Sequence, residues 1–186
     1  MPRVGLDRAK VTATAAGILD TEGPDSLSLA RVAAELGVKP PSLYNHVDGL
    51  NGLTRSIALD GIEGLAEVCR TATMGRSGAD ALRALLHAYR AFAAEHPGVY
   101  PLTQVARPDD DEISAASDKA LEPAIAVLAA FGIEGDDLIH AARAVRSAVH
   151  GFCLLEVGGG FGLDQDPDES FERLIDVLSR GLSAFG

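Results

Sequence analysis

The stretch LARVAAELGVKPPSLYNHV, Leu29–Val47, decides how the chain reads, because two short helical patterns flank a turn at Gly37-Val38. Just before it, Ser28 offers a hydroxyl to the orphan amides of the first helical turn. Leu29, Val32, Ala33 and Leu36 then recur at helical spacing and form one apolar face. Gly37 supplies the left-handed conformation that ends such a helix at little steric cost. Pro40-Pro41 follow, and prolines are tolerated where a helix begins because the missing N–H had no intrahelical partner. A residue preceding proline avoids the helical region, so the spacing predicts a second helix from near Pro41 to about His46. Leu43 and Val47, four apart, face inward.

That geometry leaves Lys39, Pro40, Pro41, Ser42, Tyr44, Asn45 and His46 turned toward a partner. Such a form is a helix-turn-helix, whose second helix meets base edges in the major groove while nearby hydroxyls and cations hold phosphates. Tyr44 and His46 suit phosphate, whereas Ser42, Asn45 and the proline methylenes suit base edges or thymine methyls. By pattern alone, a solvated surface helix in a small bundle is an equal reading.

The run Gly37–Val47 resembles the DNA-binding core of the TetR family of transcriptional regulators. Upstream, Leu6–Gly23, with Val11, Ala15, Ile18 and Leu19 on one face, resembles the family's first helix. Downstream, Leu50–Cys69 resembles the helix connecting the DNA-binding head to the effector domain. The resemblance implies that Tyr44 and His46 contact the DNA backbone and that Ser28 and Lys39–Ser42 face the operator. One departure stands out: many members carry a phosphate-gripping lysine at the start of the connector, where this chain has Leu50. Arg55, further along the same helix, or the backbone amides at that helix start, would take its place. Arg3, in the arm Met1–Leu6, offers a further cation to phosphate or the minor groove.

A net charge of −11 over 186 residues argues superficially against a nucleic-acid partner. Its distribution answers this, because residues 1–60 hold six Lys/Arg and seven Asp/Glu, while the remainder holds ten and twenty. A near-neutral head on an acidic body implies weak non-specific affinity, so specific contacts and dimerisation must supply more of the binding. No apolar run reaches membrane-spanning length, and no signal-peptide hydrophobic region opens the chain, so a cytoplasmic protein is expected. Cys69 and Cys153 lack CxxC spacing and read as small buried apolar groups.

Beyond the connector, Thr71–Gly78 reads as a loop. Ala81, Leu82, Leu85, Leu86, Tyr89 and Phe92 then form a wide helical stripe ended by His96-Pro97-Gly98. A short segment, Val99–Val105, leads to the acidic run Asp109–Asp111, read as solvated surface. A helix from about Glu112 to Phe131 carries Pro123 and stops at Gly132. Two further helices, Asp136–Val157 and Asp168–Phe185, are apolar beyond what one packed face needs. The resemblance implies that they dimerise as a four-helix bundle, with Val145, Val149, Phe152, Phe171, Leu174, Leu178 and Leu182 at the interface. Val149-His150-Gly151-Phe152 is similar to the aromatic-His-Gly motif of one branch of the family, with valine in place of the aromatic. Gly158–Gly162 follows a helix and lacks GxGxxG, so it reads as a loop.

No GxSxG, P-loop or HExxH occurs, and the five histidines show no i,i+4 metal spacing, so neither an enzyme nor a metal or cofactor site is expected. The reading is an all-α protein with a three-helix helix-turn-helix domain (1–50), a connector helix (51–70) and a helical effector-binding and dimerisation domain (71–186). Its expected function is that of a ligand-responsive repressor that binds a palindromic operator as a homodimer and is released by a small-molecule effector. Pocket candidates are Phe92, Tyr100, Phe131, His140 and His150. The alternative is a helical ligand-binding or adaptor protein whose degenerate helix-turn-helix binds no DNA.

Overall fold

Asp7 opens the first helix by accepting the Lys10 amide on its carboxylate at 2.8 Å, and α1 runs Arg8–Glu22 in the computed structural model, which describes residues 5–185. Among these residues there is no strand. Gly23, at φ +82°, ends α1, and a short 3₁₀ turn (Pro24–Ser26) leads to α2 (Leu29–Glu35). The Ser28 hydroxyl accepts the Arg31 amide at 3.1 Å, the cap read from sequence. Gly37 lies at φ +66°, as a sharp stop requires.

The segment after the turn is a 3₁₀ helix, Pro40–Asn45, and not an α-helix. Two adjacent prolines remove the first two donors, and the chain closes tighter bonds instead: Ser42 N–H donates to Lys39 O and His46 N–H to Leu43 O, both at 2.9 Å. A long connector helix, α3 (Gly49–Thr73), follows. Its last turn absorbs part of the expected loop because Thr71 to Thr73 contain no breaker; the left-handed Gly75, at φ +72°, ends the run. Then come α4 (Gly78–Glu95), the short α5 (Tyr100–Thr103), α6 (Asp111–Ala129, with Pro123 inside), α7 (Gly135–Val157) and α8 (Pro167–Ser183). Among the described residues no helix is long and apolar enough to cross a membrane.

The chain forms two compact units that do not follow the contiguous division read from sequence. The first joins residues up to 63 with 95–116, and the second joins 64–94 with residues from 117 onward. In the first, Val11, Ala15, Ile18 and Leu19 of α1 pack with Val32 and Ala33 of α2, with Leu43 and Val47, and with Leu53 and Ile57 of α3. Val99 joins this core and Leu102 packs at its edge, so sequence expected in the effector domain helps to build the helix-turn-helix unit. Gly98 makes that possible, since a Cβ there would lie 2.1 Å from the Leu19 carbonyl oxygen. Small Gly61 likewise lets α3 approach Val99 and Thr103.

In the second unit, Leu82, Leu85, Leu86 and Phe92 of α4 are buried, as are Val145 and Val149 of α7 and Phe171 and Ile175 of α8. Arg90 is the charged exception. Its guanidinium lies 5.4 Å from the Phe152 ring centre and 4.8 Å from that of Phe171, and forks onto Glu156 and Asp168. A half-buried arginine is tolerated there because two carboxylates oppose its charge and accept from Nε and Nη2. Phe161, from the Gly-rich loop after α7, packs tilted against Phe152 with ring centres 4.8 Å apart.

Candidate nucleic-acid interface

The recognition segment owes its pose to Leu43, fully buried, and Val47, 6% exposed, which peg it to the core behind α2. With those two inward, Lys39, Pro40, Pro41, Tyr44 and Asn45 are exposed, and Ser42 and His46 are half-buried at the edge. Tyr44 is 62% exposed, which for a large aromatic places its ring and hydroxyl in solvent. Ser28 stands exposed at the head of α2, its oxygen already accepting the Arg31 amide, so its hydroxyl hydrogen remains for a phosphate or base. The structure thus brings Ser28, at the head of α2, and residues 39–46, in and around the recognition segment, into one small unit. Arg3 lies outside the described residues.

Arg55 differs from its expected role. Its guanidinium forks onto Asp110 through two bonds of 2.6 Å and reaches Glu112 at 2.8 Å. Those contacts engage Nε and Nη2 of Arg55 and hold the Asp110 carboxyl below the usual carboxylate range, first through the Arg55 hydrogen bonds and then through the backbone amide of Ile113. The acidic run is correspondingly mixed: Asp109 and Asp111 are exposed, but half-buried Asp110 also caps α6 through the Ile113 amide at 3.2 Å. Leu50 is 41% exposed on the first turn of α3, so the place of the family's lysine is an apolar side chain in solvent.

A second polar junction escaped the sequence reading altogether. Asp20, near the end of α1, accepts the amides of Gly98 and Val99 on one oxygen, both at 2.9 Å, and His96 Nδ1 on the other at 3.0 Å. The His96-Pro97-Gly98 signal was legible as a helix stop, but nothing local tied it to an acid 76 residues earlier.

The pocket and interface candidates differ widely in exposure. Phe92 and Tyr100 are packed, at 7% and 2% exposure; Phe131 and His150 are half-buried; and His140 is exposed on α7 rather than enclosed. None of the five lines the groove of about 530 Å³ between α1 and α2, whose walls include Lys10, Thr14, Thr21, Arg31 and Glu35. Of the interface candidates, Val145, Val149, Phe171 and Leu182 are buried inside their own unit and have no surface to offer, while Phe152, Leu174 and Leu178 are half-buried. The solvent-open large apolar residues of these helices are Ile139, Leu154, Leu155 and Val157 on α7 and Val177 on α8. The stripes were read correctly as apolar, but burial inside the unit takes one side of each.

A small helical core carrying an exposed recognition segment after a capped helix and a left-handed glycine defines a helix-turn-helix DNA-binding protein. Residues 82–178 match the family described as the tetracyclin repressor-like C-terminal domain. The chain is 38% identical over 179 residues to an uncharacterised HTH-type transcriptional regulator of Mycobacterium tuberculosis, covering 95% of this chain and 82% of that one. It is 34% identical over 182 residues to a second such regulator, YobS of Bacillus subtilis, covering 97% and 95%. Its fold matches the Streptomyces coelicolor TetR family protein ActR, solved in complex with (S)-DNPA, with a TM-score of 0.69 at 19% identity over 97% of this chain and 98% of that one. The chain belongs to the TetR family of transcriptional regulators: it is a DNA-binding regulator and not an enzyme.

Proposed function

We propose that this regulator is a repressor that works in the cytoplasm, binds a palindromic operator as a homodimer and is released by a small-molecule effector. The observation that carries the proposal is the pairing of a recognition face open to solvent, led by Tyr44, with an apolar face on α7 and α8 that its own unit leaves uncovered. Leu154, Leu155 and Val177, with half-buried Leu174 and Leu178 beside them, form the surface a second copy would cover. Two copies present two recognition segments, and heads about 34 Å apart read successive major grooves of a palindrome. Dimerisation also answers the charge problem, because a near-neutral head gains affinity from two linked contacts. Tyr44 and His46 hold the DNA backbone, and Ser28 and Lys39–Ser42 with Asn45 face the bases. Arg3 adds a cation from the N-terminal arm. An effector bound among the helices behind the connector, near Phe92, Phe131 and His150, favours a spacing of heads that no longer fits the grooves.

The experiment is a mobility shift over graded salt with duplexes selected from a random pool, alongside sedimentation of the free protein. Retention of palindromic duplexes by a dimer is expected. Absence of binding even at low salt overturns the DNA reading, and a monomer at micromolar concentration overturns the dimer.

A further inference from the structure

Residues 95–116 follow the connector in sequence yet fold with the head, and two polar fastenings of opposite character hold them there. The first is Asp20, 15% exposed, whose carboxylate grips the amides of Gly98 and Val99 beside the apolar contacts of Val99 and Leu102. Backbone donors and a close-packed glycine leave it little room to adjust. The second is Arg55 on Asp110 and Glu112, an ion cluster reached by solvent and therefore open to screening. Asp110 serves there twice, since the oxygen that accepts Arg55 Nη2 also accepts the Ile113 amide in the first turn of α6. Any change in that first turn moves the acceptor on which Arg55 depends, and Arg55 lies less than two turns from Gly49, where α3 leaves the recognition segment.

We infer that residues 95–116 are a strap that sets the pose of the α3 start for DNA reading, with Asp20 as its fixed fastening and the Arg55–Asp110–Glu112 cluster as its adjustable one. Arg55 is on this view a positioning residue and touches no phosphate. The inference rests on the proposed DNA-reading role of the head and adds a route by which α6 reaches it.

Two variants separate the roles. Asp110→Asn keeps an oxygen to cap α6 but removes the carboxylate that Arg55 needs, and Arg55→Met keeps the length of the stem without the charge. Both are assayed on a duplex that the wild-type protein has selected from a random pool, over a salt series, with thermal unfolding in parallel. Each variant is expected to weaken binding of the selected duplex about five- to tenfold and to leave random-sequence duplex binding and the salt slope unchanged. The double variant should be no weaker than either single one. Arg55→Lys should recover part of the loss. A salt slope that falls by about one contact in Arg55→Met alone makes Arg55 a phosphate ligand and overturns the inference. Unchanged affinity with a lower melting temperature reduces the cluster to a structural role and also overturns it. Failure of the wild-type protein to select any duplex strikes the proposed function itself, a separate outcome.

Discussion

Replacing Asp20 by alanine is the sharpest test of how the 95–116 segment is held. The carboxylate is 15% exposed and accepts two backbone amides on one oxygen, so the truncation leaves the Gly98 and Val99 donors half-buried without their partner. Hydrogen bonds to a charged acceptor contribute about 1.5–3 kcal/mol each, and partial water access lowers the pair to a combined loss of about 2–4 kcal/mol. For a chain of this size that corresponds to a fall in melting temperature of roughly 5–15 °C. Asp20→Asn is the control. Its amide oxygen still accepts both backbone donors, and its NH₂ donates to His96 Nδ1 when that ring carries its proton on Nε2, so a loss under about 1 kcal/mol is expected. Gly98→Ala attacks the same junction from the other side, since its Cβ would lie 2.1 Å from the Leu19 oxygen; displacement of the turn costs about 1–3 kcal/mol. Thermal and denaturant unfolding measure all three. Asp20→Ala within about 0.5 kcal/mol of wild type refutes the fastening. Equal damage from Asn and Ala would mean that charge toward His96, and not the two amides, holds the turn.

Four other outcomes follow from single observations. The Thr12 hydroxyl is buried with no hydrogen-bond partner among the described residues, so Thr12→Val, of the same shape, should raise stability by about 1 kcal/mol in denaturant melts. Tyr44→Phe removes an exposed hydroxyl and should weaken operator binding about fivefold at unchanged melting temperature; equal affinity removes Tyr44 from the contacts. Val177→Glu places a charge on the open face of α8 and should turn the proposed dimer into monomer in sedimentation, without unfolding it. Burial, reinforced by Arg146, holds the His150 imidazole below its usual 6.5. As pH falls through 6.5 the unfolded chain takes up protons first, so this contribution to stability is full above that value and declines below it. A His150→Gln protein should melt with a flatter profile between pH 7 and 5.5, and an identical slope would contradict the assignment.

Legibility tracked the range of each signal. Ser28 as a cap, Gly37 as a left-handed stop and Leu43 as an inward peg depend on neighbours within a few residues, and the structure has all three. The Pro40-Pro41 pair was legible as a helix start, whereas the 3₁₀ form it enforces follows from counting the donors it removes. The Arg55 pairing with Asp110 was not legible, because a guanidinium on a helix looks the same in sequence whether it awaits a phosphate or faces a carboxylate 55 residues away. The burial of four of the interface candidates was illegible for a related reason. Periodicity marks Phe171, Leu174, Ile175 and Leu178 as one stripe, but it does not tell which edge of that stripe the protein's own α4 and α7 will cover.

By itself the sequence determined the elements and their ends: helices from capping hydroxyls and carboxylates, stops from glycine, a recognition segment from its two inward residues, and through these a DNA-reading head. Tertiary structure alone decided that residues 95–116 join that head, that Arg55 belongs to Asp110, and that Val177 rather than Phe171 faces outward. Caps and turns are satisfied within a few residues of backbone, so local sequence specifies them. Pairings across 55 to 79 residues depend on which faces meet once the helices have packed, and a linear pattern carries no record of that.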